Sequence, residues 1–334
     1  MALKSNLVRL AGPLGLYSLA RRLSRRTPRV LMYHRFAWEP SSGFTSLECF
    51  RRQVRHIKQH YNPMTLGHLI HAIENEGHAP PNTVVITIDD GYRDFYEIAF
   101  PVLKEEGVPA TLFVATGFID RALWLWPDQV RWLLERAEEI PESVVIGRVT
   151  LAPGRLTRET RDTNWTQLIN HLLKVPDEEK HRLIEELATE LGLTLPVEAP
   201  QAFQSANWDE IREIHEGGIE IGGHTVTHPS LGQVDRQQAE REIVGCRDAI
   251  ERHLGHRPRS FCYPNGQRED YTPEAKHIVQ EAGFSAAVTA FPDRAGISER
   301  YEMRRHTGGD DWFQFMKSVS GLEWLGHRLR EGPL

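Results

Sequence analysis

The chain has 334 residues, 40% hydrophobic and 26% charged, enough to bury one large core or two modest ones. A net charge of −6 excludes a general nucleic-acid binder, which needs a basic surface to neutralise phosphates. Three scattered cysteines (Cys49, Cys246, Cys262) exclude a disulfide framework or a zinc ribbon. Residues 1–28 form a basic segment that carries Lys4, Arg9, Arg21, Arg22, Arg25 and Arg26 and no acid. Its leucines (Leu7, Leu10, Leu14, Leu16, Leu19, Leu23) could line an apolar stripe, although Gly12, Pro13 and Gly15 interrupt a helix. Two readings follow: peripheral contact with an anionic membrane face, or a helix covering the bottom of the domain. Arg9 breaks the apolar run of any secretory signal, and no uncharged stretch is long enough to span a bilayer. The expected location is therefore cytoplasmic or peripheral to a membrane.

From residue 29 the pattern alternates. Arg29–Tyr33 reads as a first strand ending at His34, and helices are expected over Leu47–His60 and Leu66–Glu74. Val84-Val85-Ile86-Thr87-Ile88 is a second strand, followed by a helix over Tyr92–Glu106 that stops at Gly107, and then a strand over Ala110–Val114. Strand, helix, strand at this spacing is a βαβ unit and implies a parallel sheet. Further strands are expected at Ile219–Gly222, Ser260–Tyr263 and Ala286–Thr289, with helices at Asp235–His253 and Thr272–Ala282. The alternation fits an α/β barrel or a doubly wound sheet. Residues 121–206 break it with helical pieces, several prolines and a hairpin at Val144–Leu151, and read as a helical insertion. Trp124, Trp126 and Trp132 at its start are either its apolar core, the commoner use of buried tryptophan, or the lining of a sugar groove.

Three strand ends carry the chemistry. Asp89-Asp90-Gly91 closes the second strand, and His224-Thr225-Val226-Thr227-His228-Pro229 follows the glycine-flanked strand at 219–222. Carboxyl ends of parallel strands are where α/β proteins build active sites. Taken singly, each motif has a plain alternative. Acids cap helix N-termini, and a second histidine pair, His56/His60, sits in a basic helical stretch that reads as a solvated face. Taken together, one carboxylate and two imidazoles can hold a divalent ion, and the spare carboxylate can act as a base. Two adjacent carboxylates at a buried strand end repel each other unless a cation and a guanidinium neutralise them. The third segment, Arg259-Ser260-Phe261-Cys262-Tyr263-Pro264-Asn265-Gly266, opens with such a guanidinium.

These three segments resemble the motifs of the polysaccharide deacetylase family (NodB homology, carbohydrate esterase family 4). The resemblance covers residues 29–120 and 207–306, and Leu31-Met32-Tyr33-His34-Arg35-Phe36 looks like a branch acting on bacterial exopolysaccharide or cell-surface glycan. It implies a distorted (β/α) barrel of about seven parallel strands over residues 29–334, interrupted by the insertion. It also implies a hydrolase that removes acetyl groups from N-acetylated sugars of a polysaccharide. By the same resemblance Asp90, His224 and His228 hold one divalent ion, with Zn2+ the first choice and Co2+, Ni2+ or Fe2+ fitting the same donors. Asp89 is then the general base, Arg259 its partner, and the Tyr263-Pro264 turn the oxyanion and substrate site through the N–H of Tyr263. The family's fourth motif is matched only by Asp293, without its tryptophan. The fifth is matched only by a histidine, His306, in Met303-Arg304-Arg305-His306, so the general acid is expected to be His306 or His34. Two rival readings remain at this stage: a catalytically silent carbohydrate-binding protein on the same fold, and a mononuclear iron oxygenase using two histidines and a carboxylate.

Overall fold

A computed structural model describes residues 15–142, 144–291 and 299–331. The strands of its main sheet, in chain order, are β1 (Arg29–Tyr33), β2 (Asn62–Pro63), β3 (Thr83–Ile88), β4 (Thr111–Val114), β5 (Glu220–Gly223), β6 (Ser260–Cys262), β7 (Ala286–Val288) and β8 (His306–Thr307). All pair in parallel, in the order β7-β6-β5-β4-β3-β1-β8, with β2 beside the start of β3. Met303 bridges to Val288 of β7 while His306 pairs with Leu31 of β1, so one segment fills the gap between the two edges. The sheet thereby curls into a distorted (β/α) barrel of seven parallel strands.

Side-chain alternation divides the sheet into two faces. Val30, Val85, Phe113, Cys262, Ala286, Val288 and Met303 pack together inside the barrel. Their strand neighbours Leu31, Ile86, Ile88, Leu112, Val114 and Ile221 pack outward against helices. Both faces are covered, which is why the strands read as continuous apolar runs.

Apart from the single turn Thr116–Ile119, the α-helices are α1 (Tyr17–Leu23), α2 (Leu47–His60), α3 (Leu66–Glu76), α4 (Phe100–Glu106), α5 (Trp126–Arg136), α6 (Arg158–Leu172), α7 (Asp177–Glu190), α8 (Trp208–Glu216), α9 (Arg236–Leu254), α10 (Pro273–Glu281), α11 (Trp312–Ser320) and α12 (Leu322–Glu331). Local chemistry sets their ends. Ser46 caps α2, and Asn207 with Glu210 forms a capping box on α8. Gly107 and Gly255 stop α4 and α9 in the left-handed conformation. α2 buries Phe50, Val54 and Ile57, one stripe at helical spacing. The helix expected over Tyr92–Glu106 is instead a π-helical turn, Phe95–Ala99, leading into α4. Pro101, without an N–H, cannot continue a regular ladder there. α8, α11 and α12 were not foreseen.

α1 packs against α11 and α12. Ala20 is buried, and Leu19 and Leu23 face outward. The rest of the basic segment, residues 1–14, lies outside the described residues, as does Asp293 of the fourth motif. Among the described residues no helix is long and apolar enough to cross a membrane.

Between β4 and α8 the chain leaves the sheet. α5, α6 and α7 enclose their own core of Trp126, Leu133, Leu134, Leu168, Leu183 and Leu187, closed by a hairpin at Val145–Ile146 and Val149–Thr150. Trp124 and Trp126 are 4% and 2% exposed. They are core residues and line no groove.

Candidate metal centre and active site

Four side chains converge at the carboxyl ends of β3 and β5. The chain turns sharply after β3: Asp90 and Gly91 both take positive φ, 76° and 92°. Gly91 is required there, because a Cβ would lie 2.7 Å from the Ile119 side chain. After β5, Thr225 and His228 also take positive φ, 68° and 59°. Strain of this kind persists only where surroundings impose it. Here Glu242 of α9 does so, accepting the N–H groups of Val226 and Thr227 at 2.8 Å each and the Thr227 hydroxyl at 2.6 Å. From the other side Thr116 and Gly117 donate to the carbonyls of Thr225 and Val226.

The result is a compact donor set. Nε2 of His224 and Nε2 of His228 each lie 3.3 Å from the same Asp90 oxygen. Two atoms bound to one tetrahedral ion at ~2.0–2.1 Å lie about 3.3–3.4 Å apart, so the spacing suits a shared cation. His224 Nδ1 is 2.8 Å from the Cys262 carbonyl, which only accepts, so this nitrogen carries the proton and Nε2 is left as a donor to metal. His228 Nδ1 is buried with no hydrogen-bond partner. Burial opposes the charge on Asp90, but the two imidazoles outweigh it and hold the carboxyl well below its ordinary range. Two nitrogens and one carboxylate oxygen are a fitting set for zinc or a neighbouring divalent ion. His228→Ala is expected to lose the bound ion, and full occupancy by elemental analysis of that variant would rule out the assignment.

Asp89, 2% exposed, faces the barrel interior. Arg305 grips it with two parallel hydrogen bonds, Nη1 to Oδ1 and Nη2 to Oδ2, both 2.7 Å. All five guanidinium N–H groups are used. The others go to the Thr289 carbonyl at 2.8 Å, the Thr87 hydroxyl at 3.0 Å and the Cys262 sulfur at 3.2 Å. Burial pushes the Asp89 carboxyl up, but the guanidinium more than offsets this and keeps it below the ordinary value. With both oxygens engaged, Asp89 is a poor ligand, so the neighbouring group Asp89/His224/Cys262 is a weaker metal site than Asp90/His224/His228.

Three expectations are corrected. Arg259 does not pair with Asp89. It precedes β6 at the opposite end of the barrel, half exposed, with Nη2 3.4 Å from Glu74. The β6 residue beside Asp89 is Cys262, three positions later, its sulfur 3.6 Å from Oδ2. His306 does not enter the site. It is one residue from Arg305 on an extended segment, so it points to the other face, where Nδ1 lies 3.1 Å from Glu323. The Tyr263 N–H is also spent, donating to the Val288 carbonyl at 3.2 Å, and its ring stacks on Tyr271. Pro264 has no N–H, and Gly266 donates to the Pro264 carbonyl, which leaves the amide of Asn265 in that turn. His34 does reach the site: Nε2 lies 3.5 Å from Asp89 Oδ2, with 46% of the side chain exposed to the mouth.

Comparisons with known proteins bear on the family and the fold. The sequence model of the family described as polysaccharide deacetylase matches residues 76–143 and 178–287, more than half of the chain. YxkH of Bacillus subtilis (strain 168), whose name places it among the polysaccharide deacetylases, is 22% identical over 271 residues, 80% of this chain and 65% of that protein. The chain thus spans about two thirds of that relative's length. The Streptococcus pyogenes deacetylase PplD, solved with acetate, superposes with a TM-score of 0.57 at 17% identity over 89% of this chain and 96% of that one. IcaB from Ammonifex degensii superposes at 0.56 and 19%, over 88% and 97%. At these identities the structural likeness speaks for the fold. With the family match and the three strand-end motifs, it leads to one assignment: this chain is a member of the polysaccharide deacetylase family.

Proposed function

We propose that the protein hydrolyses the acetamide of N-acetylated sugars in a bacterial polysaccharide, releasing acetate and a free amine. The observation that carries this is a buried carboxylate held ionised by a bidentate arginine, one residue from a two-histidine, one-carboxylate donor set. Asp90, His224 and His228 would hold a divalent ion, Zn2+ by preference. When bound, such an ion polarises a carbonyl and makes a water acidic near neutral pH. Asp89 takes the proton of the attacking water, and Arg305 keeps that carboxylate charged and aimed. Arg305 is thus a positioning residue. The N–H of Asn265 supports the oxyanion that forms as water adds to the acetyl carbon. When the carbon–nitrogen bond breaks, His34 gives its proton to the departing amine. An iron oxygenase gains nothing from the Asp89–Arg305 pair, which supports the hydrolytic reading.

The test is acetate release from N-acetylglucosamine oligomers by metal-replete protein, with loss on chelation and recovery on adding zinc. Within it, His34→Ala is expected to cost about 10²–10⁴ in kcat, the range for a general acid. His306→Ala is expected to stay within about tenfold of the parent and to lose little stability, since the half-buried Glu323 keeps Gln314 and Lys317 as partners. The reverse ranking of the two variants would remove His34 as the acid.

A further inference from the structure

Trp38 exposes 61% of its surface and is the only aromatic among the exposed large hydrophobic side chains of the described residues. A lone exposed apolar residue is common and by itself needs no explanation. This one is set apart by its mounting. It stands four residues beyond His34, on the segment that leaves the catalytic end of β1, so its Cα lies within ~14 Å of that of His34. The base of that segment is fixed from several sides. The guanidinium of Arg35 lies 3.9 Å above the Tyr92 ring and 4.9 Å from the Phe44 ring. The same group bonds Asp94 and the Ala202 carbonyl, both at 2.6 Å. Phe36 is buried and its N–H donates to Asp94 at 3.2 Å. Phe36 and Ala37 pair with Thr45 and Ser46, closing the loop at its root. Glu39, Ser41 and Ser42, within four residues of it in the chain, are also exposed and carry groups that can bond hydroxyls.

An exposed indole on a segment braced at its base has the properties of a binding platform, because little freedom is lost when a ligand covers it. Its flat apolar face suits the C–H face of a pyranose ring, whose hydroxyls lie around the edge. Open to solvent and within reach of His34 along the chain, the indole suits a ring other than the one being deacetylated. We propose that Trp38 is a stacking platform for a pyranose ring of the glycan, at least one unit along the chain from the sugar that presents its acetyl group to Asp89. This rests on the deacetylase reading and adds a requirement for substrate length.

The test is binding by calorimetry and acetate release, side by side, for N-acetylglucosamine and its tetramer, using the parent protein, Trp38→Ala and Trp38→Phe. Trp38→Ala is expected to raise Kd and KM for the tetramer by roughly threefold to tenfold. The loss shrinks for the monosaccharide, and Trp38→Phe recovers most of it. If the parent binds the tetramer and Trp38→Ala does not, while neither releases acetate, the platform stands and the deacetylase reading falls. Equal tetramer binding by parent and Trp38→Ala overturns the platform. So does a Trp38→Ala effect confined to solution mass or to retention on lipid vesicles, which would assign the indole to a protein or membrane contact.

Discussion

Asp89→Asn is expected to keep its metal and lose turnover by about 10²–10⁴, the contribution typical of a positioned general base. The substitution is nearly isosteric, so Asp90, His224 and His228 keep their positions and elemental analysis reads the same occupancy. What disappears is the negative charge that receives a proton. The amide oxygen still accepts one bond from Arg305, but the buried guanidinium loses its counter-charge, at a cost on the order of 3–5 kcal/mol. Melting temperature must therefore be followed in parallel, and activity compared where both proteins are folded. Turnover within tenfold of the parent under those conditions would strip Asp89 of its assigned part.

The metal ligands were legible in the sequence because they belong to short, contiguous motifs at abrupt strand ends. Asp90 and the His224/His228 pair need only a βαβ reading and the coordination chemistry of imidazole and carboxylate. The partner of Asp89 was not legible by proximity, since Arg259 sits inside a recognised motif and Arg305 does not. Strand parity held the missing clue. Met303 is apolar and Arg304-Arg305-His306 follows it; if Met303 points inward, so does Arg305, and His306 points out. The same parity excludes Arg259, an odd number of residues before Cys262 and a whole strand length from the catalytic end. What parity could not reveal is that residues 303–307 fill the gap between β7 and β1, because a two-residue strand carries almost no periodic signal. The amide of Tyr263 was misjudged for a related reason: backbone donors are committed by pairing, and pairing is not written in side chains. The insertion core was easier, since tryptophans spaced among leucines are most often packing residues, as Trp124 and Trp126 are here.

Arg305→Met is expected to reverse the pH dependence that Asp89 confers. In the parent protein the folded carboxyl titrates below its ordinary value, so its contribution to stability is complete above about pH 4 and is lost as pH falls through the folded pKa. Without the guanidinium only the imidazoles of His34 and His224 still oppose the effect of burial, and the folded carboxyl is expected to rise above the ordinary value. The sign then changes. The variant binds the proton more tightly when folded, so the group favours folding at low pH and loses that contribution as pH climbs through the raised pKa. Activity follows the same titration, because a base must be ionised: the acid limb of the rate profile should move to higher pH. Arg305→Lys separates charge from geometry. A single ammonium restores a positive neighbour but not the parallel pair of bonds, and it leaves the Thr289 carbonyl without its donor. It should therefore bring the acid limb part of the way back while kcat stays low. Denaturant melts and rate profiles from pH 4 to 8 on the three proteins decide the matter, and an acid limb that stays in place in Arg305→Met would mean that some other group keeps Asp89 charged.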